Sequence, residues 1–155
     1  MKNKLATVLA TWFGCGYAPV APGTAGSLAA MAIAALLAHY AGWGLLQFAV
    51  LSAVALAPAI WAAGNTAKRL NLKDPGMIVV DEVLGQWVAL VGARPLNWKS
   101  MLAAFALFRL FDIWKPQPVR ALEAVPGGAG IVLDDVAAGI YAALVLFLAG
   151  CFNLY

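Results

Sequence analysis

From Leu45 to Ala63 the chain runs nineteen residues without a charged side chain, and from Val136 to Cys151 it runs sixteen more. An α-helix needs about 20 apolar residues to cross a hydrocarbon core of about 30 Å, and within that core each backbone N–H and C=O must be satisfied inside the segment. Helices packed side by side in a membrane are the architecture these stretches permit. Composition agrees: 64% of residues are hydrophobic and 11% charged, against about 45–50% and 25% in soluble domains. A soluble fold is excluded on that ground. The 155 residues suit one integral membrane domain over 1–155.

The pattern predicts an all-α, polytopic transmembrane helical bundle of about five membrane segments: Thr24 to Tyr40, Leu45 to Ala63, Ile78 to Val91, Trp98 to Trp114 and Ile131 to Cys151. Thr24 or Ser27 is expected to cap the first of these. Pro58 is expected to kink the second, and a polar connection is expected from Gly64 to Gly76. Pro116 and Pro118 end the fourth, because a residue before proline is pushed out of helical geometry. The N-terminal stretch starts Met1-Lys2-Asn3-Lys4 and is interrupted by Trp12, Gly14, Pro19 and Pro22, which favours a retained interfacial segment over a cleaved signal.

If the five segments alternate, one face of the membrane collects Lys2, Lys4, Lys68, Arg69, Lys73, Lys115 and Arg120, and the other only Arg94 and Lys99. The excess of basic residues assigns the first face to the cytoplasm. The net charge of +3 comes with no basic run or aromatic-basic interleaving, so it points to anionic membrane lipids and not to nucleic acid. Cys15 and Cys151 fall on opposite faces, which excludes a disulfide between them.

Six of the seven acidic residues, Asp74, Asp81, Glu82, Asp112, Asp134 and Asp135, fall at the cytoplasmic ends of these segments. Three separate helices thus bring carboxylates to one depth. Clustered carboxylates in a low-dielectric setting need a counter-charge or a proton, and a divalent cation supplies the former. An all-oxygen donor set suits Mg²⁺, Mn²⁺ or Ca²⁺, whereas His39 alone and two dispersed cysteines cannot build a zinc site. Asp81, Glu82, Asp134 and Asp135 are the expected metal ligands, with Asp112 beside them. Two of the acidic pairs sit in similar contexts, Ile78-Val79-Val80-Asp81-Glu82-Val83 and Ile131-Val132-Leu133-Asp134-Asp135-Val136. Gly85 and Gly139 each follow at four residues, where they allow close helix approach.

Lys115 and Arg109 have the chemistry to receive a phosphate, as does the Gly- and Pro-rich run from Gly14 to Ser27 that opens into a helix, with the hydroxyls of Thr24 and Ser27. Asn65, Asp74 and Gln86 are candidates for recognising substrate hydroxyls. A bundle-stabilising ion-pair network would use the same acids with Arg109, Lys115 and Lys68. A cation- or proton-coupled transporter is the alternative of another class, but its acids belong near the bilayer midplane.

The strings APGTAGS at Ala21 to Ser27, DPGMIVVDEVLGQW at Asp74 to Trp87, FRLFDIWKP at Phe108 to Pro116 and GGAGIVLDDVAAGIYA at Gly127 to Ala142 together resemble the phosphatidylglycerophosphatase A family over nearly the whole chain. The resemblance implies an Mg²⁺-dependent phosphatase of the bacterial inner membrane, converting phosphatidylglycerophosphate to phosphatidylglycerol and phosphate at the cytoplasmic face. Other phosphatase designs fit poorly, since the chain has no Asp-x-Asp nucleophile motif, no Cys-x5-Arg loop and a single histidine. Metal-activated water is the economical mechanism, with Asp81, Glu82, Asp134, Asp135 and Asp112 as catalytic candidates.

Overall fold

The computed structural model describes residues 2–155, with side chains from Lys4 onward; the side chain of Lys2 lies outside the described residues. It is all-helical, and no strand occurs among the described residues. In chain order the helices are α1 (Lys2–Ala10), α2 (Pro22–Ala41), α3 (Leu45–Leu70), α4 (Val80–Leu90), α5 (Trp98–Trp114), α6 (Val119–Glu123) and α7 (Gly128–Cys151), with a short 3₁₀ turn at Cys15–Tyr17.

Three of them, α2, α3 and α7, are long and apolar enough to cross a membrane. Of the about five membrane segments expected, three are met by length and composition. At 1.5 Å per residue, the 11 residues of α4 reach only about 16 Å, and the 17 of α5 about 25 Å. Helix α5 stands at the lower limit of a full span, and α4 is shorter than one. Instead α4 lies inside the bundle, with Val83, Leu84, Gly85, Gln86 and Trp87 all buried.

Helix ends also differ from expectation. The N-cap of α2 is Ala21, in left-handed geometry and without a side-chain cap, and Pro22 opens the helix. Neither Thr24 nor Ser27 caps it, because proline at the first helical position already sets the backbone and starts the helix two residues sooner. Helix α3 does not stop at Ala63 but continues to Leu70, where Asn71 adopts left-handed geometry. Asn65, Lys68 and Arg69 are therefore helical, since their straight-chain or amide side chains extend into solvent without interrupting the backbone ladder.

Helices α4 and α7 pack closely through glycines. A Cβ on Gly139 would collide with the Gly85 carbonyl oxygen and come within 3.0 Å of Val88 Cβ. On one flank Ala10, Ala59, Ala62, Ala63, Ile78, Val80, Leu84 and Val132 join α1 and α3 to this pair. On the other, Ala30, Ala34, Val83, Trp87, Ala104, Phe108 and Ala138 join α2 and α5. The Trp87 indole N–H donates to the Ala30 carbonyl at 3.1 Å, fixing α4 against α2. Leu46, Val50, Val54, Leu144 and Leu148 are exposed, as side chains facing lipid would be.

Candidate active site

Four helix ends meet at one end of the bundle. The start of α4 is tied down by Val79, whose N–H donates to the Ala10 carbonyl at 2.8 Å, and it puts Asp81 and Glu82 in the first turn. Acids are favoured there by the partial positive charge of a helix N-terminus. Gly128 lets α7 start against α3, since a Cβ there would strike the Ile60 carbonyl and lie 2.6 Å from Gly64 N. Because α7 begins at Gly128, Asp134 and Asp135 fall in its second turn and not its first. Helix α5 contributes Arg109 and Asp112 from its last turns and ends at Lys115 in left-handed geometry.

Asp81, Glu82 and Asp135 form one cluster, each offering a carboxylate oxygen within 4.8 Å of the others. Asp81 and Asp135 are buried, at 7% and 4% exposure. Asp81 Oδ1, Glu82 Oε2 and Asp135 Oδ2 are buried without a hydrogen-bond partner. Buried carboxylate oxygens without donors are costly, and three that face one another also repel. A divalent cation bound by oxygen ligands answers both demands, so the donor set fits one.

Asp134, expected in the same ligand set, is placed differently. Its Oδ2 accepts from Lys115 Nζ at 2.8 Å, Lys115 also reaches Glu123 Oε2 at 3.3 Å, and the other oxygen of Asp134, Oδ1, is buried without a hydrogen-bond partner. Burial opposes the Lys115 charge, but the hydrogen bond to Asp134 and the charge of Glu123 outweigh it and hold the ammonium above its ordinary range. Asp112 accepts from Arg109 Nη1 at 2.7 Å and neighbours Asp135. Arg109 thus stands beside the cluster and Lys115 beside Asp134, each already oriented by a carboxylate.

The remaining expected residues lie farther out. The Ser27 hydroxyl donates to the Gly23 carbonyl at 3.0 Å and is spent on its own helix, while Thr24 is half-buried one turn earlier. Asn65 is exposed on α3, its amide donating to the Trp61 carbonyl at 2.8 Å. Asp74 precedes α4 and lines a small cleft of about 50 Å³ with Lys73, Glu123, Gly127 and Asp134.

Two contributors escape sequence reasoning. Gly23 gives room to the cluster, because a Cβ there would collide with Glu82 Oε1 and come 3.4 Å from Arg109 Nη1; its place beside Pro22 in the Ala21 to Ser27 string was the available signal. Glu123 lies on α6, a five-residue helix too short to show periodicity.

A family model described as Phosphatidylglycerophosphatase A matches residues 8–150. A Phosphatidylglycerophosphatase A of Escherichia coli (strain K12) is 37% identical over 144 residues, covering 92% of this chain and 82% of that protein. One of Haemophilus influenzae is 40% identical over 141 residues, covering 90% and 85%. A Putative phosphatidylinositol-3-phosphatase of Bacteroides thetaiotaomicron is 41% identical over 150 residues, covering 94% and 93%. No solved structure matches.

Proposed function

As the chain belongs to the phosphatidylglycerophosphatase A family and is a phosphatase, we propose that it hydrolyses phosphatidylglycerophosphate to phosphatidylglycerol and phosphate at the cytoplasmic face of a bacterial inner membrane. The observation that carries this reading is the group of Asp81, Glu82 and Asp135, three carboxylates with unpartnered buried oxygens at a shared helix end. These three are proposed to hold Mg²⁺. When bound, the ion would supply charge neutralisation to the phosphoryl oxygens and lower the pKa of a water.

The other roles belong to side chains of the chain itself. Arg109 and Lys115 neutralise the incoming phosphate dianion, which bare carboxylates would repel. Asp112 and Asp134 hold those cations in place by their hydrogen bonds. Asp135, through the oxygen that the ion does not take, accepts the proton of the attacking water as the water oxygen bonds to phosphorus. The bond from phosphorus to the glycerol oxygen breaks on the opposite side, that oxygen takes a proton from interfacial water, and Asp135 gives its proton back to solvent. Thr24 and Asp74 border the approach of the headgroup, and Ser27 and Asn65 support the helices beside it.

The test is phosphate release by the full chain in lipid nanodiscs, with Mg²⁺ and with chelator, from phosphatidylglycerophosphate and from phosphatidylinositol 3-phosphate. Release from the first lipid, lost with chelator and in Asp81→Asn and Asp135→Asn, supports the reading. Faster release from the inositol lipid would assign the headgroup named in the Bacteroides relative. Release that chelator leaves unchanged would remove the metal from the mechanism.

A further inference from the structure

Gln86 is fully buried, and neither its amide nitrogen nor its oxygen has a hydrogen-bond partner. A buried amide without partners is a liability that a leucine of similar size would avoid. Burial on all sides also excludes direct contact with a lipid headgroup. Trp87, bonded to the Ala30 carbonyl of α2, and Phe108, packed where a Cβ on Gly85 would strike its ring, close the interior at this depth.

The polar group available to Gln86 lies on its own helix. Residues four apart stand one above the other on a helix face, about 6 Å along the axis, and Gln with a carboxylate at that spacing can hydrogen-bond. Four residues before Gln86 is Glu82, whose Oε2 is itself buried and unpartnered. Its Oε1 is packed against Gly23 of α2, at the side of the cluster where Arg109 stands. A donor without an acceptor and an acceptor without a donor thus occupy adjacent turns of one face of α4.

Resting on the reading that Asp81, Glu82 and Asp135 hold a divalent ion, we propose that Gln86 is a positioning residue for that site. When the ion binds, the Gln86 amide N–H turns to donate to the Glu82 carboxylate oxygen that the ion does not take, which fixes the plane of the carboxylate. Carboxylates that ligate metals are themselves hydrogen-bonded, and loss of such a partner costs about 10- to 100-fold in metal affinity or activity. The amide must reach the carboxylate, so a shorter amide cannot replace it.

Mn²⁺ binding to the full chain in nanodiscs, followed by the electron paramagnetic resonance of the free ion, tests this alongside the melting temperature of the metal-free protein. Asp81→Asn is expected to abolish binding. Gln86→Leu is expected to weaken it by about 10- to 100-fold while melting at or above the wild-type temperature, and Gln86→Asn to weaken it similarly. A residue that serves packing alone would give the reverse: a lower melting temperature and wild-type Mn²⁺ affinity. Binding within about twofold of wild type in both Gln86 variants, with Asp81→Asn inactive in binding, overturns the positioning role and leaves the metal site standing. If wild type binds no Mn²⁺, or Asp81→Asn binds as wild type does, the ion reading of the cluster itself fails and the role of Gln86 with it.

Discussion

At the scale of single residues, the site depends on a missing side chain as much as on those present. Gly23→Ala puts a methyl where Glu82 Oε1 now lies. The obstacle is the end of a flexible side chain, and alanine favours a helix over glycine by about 1 kcal/mol. Gly23→Ala should therefore melt at or above the wild-type temperature while phosphate release falls at least about tenfold; unchanged release would show that the placing of Glu82 does not matter. Lys115 gives the opposite pattern. Lys115→Met leaves Asp134, 4% exposed, without its counter-charge, and should cost about 1.5–3 kcal/mol of stability. The Lys115 pKa is raised in the fold above 10.5, so the stability it contributes is complete below the unfolded value and is lost only as pH rises through the higher folded one. The stability difference between wild type and Lys115→Met should thus stay constant from about pH 7 to pH 9, as measured by thermal melts across that range; a difference that shrinks by pH 9 would contradict the raised value.

Among the elements, the contact of α4 with α7 decides whether the cluster assembles. Asp81 and Glu82 ride on one helix and Asp135 on the other, and the two meet where Gly139 touches Gly85. Gly139→Val forces them apart and should abolish both metal-dependent phosphate release and the wild-type melting transition. Gly76, with nothing within 4 Å of an added Cβ, supplies the control: Gly76→Ala should retain both. Retention of activity in Gly139→Val would mean that α4 and α7 need not be in contact. This contact was half legible in the sequence, since the echoing acidic strings and their trailing glycines mark both helices. Helix α5 was read to its ends, Trp98 and Trp114, because Asn97 caps it with hydrogen bonds to Lys99 and Ser100 and Pro116 stops it. Apolar character does not distinguish a full-length span facing lipid from a shorter helix, like α4, buried among its neighbours, so the sequence does not separate the three long helices from α4 and α5. Asp134 and Asp135 share a depth, but their helix sets them about 100° apart, so that Asp134 Oδ2 meets Lys115 while its Oδ1 is buried without a partner, a division that spacing between separate helices cannot reveal.

For the whole molecule, the remaining question is which way the bundle faces. At about 1.5 Å per residue, the 24 residues of α7 measure about 36 Å, longer than the hydrocarbon core. Asp134 and Asp135 lie near its start, so its end emerges on the other side, where Gly150 packs against the Arg94 carbonyl and Cys151 is exposed. Cys15 belongs to the acidic end, because its neighbour Gly16 packs against the Met77 carbonyl just before α4. The end bearing the acids also bears Lys68, Arg69, Lys73, Lys115 and Arg120, the excess of basic side chains on which the proposed cytoplasmic orientation rests. The two cysteines are natural reporters of this arrangement. In intact cells whose outer membrane has been made permeable, a membrane-impermeant maleimide should label a Cys15→Ala variant, through Cys151, and leave a Cys151→Ala variant unlabelled until the inner membrane is lysed. The reverse pattern would turn the bundle over and put the carboxylates on the outer face. Substrate synthesised on the cytoplasmic side would then have to cross the bilayer before hydrolysis, against the cost of moving a phosphate dianion through hydrocarbon, so phosphate release in vesicles of known sidedness would have to follow the labelled face.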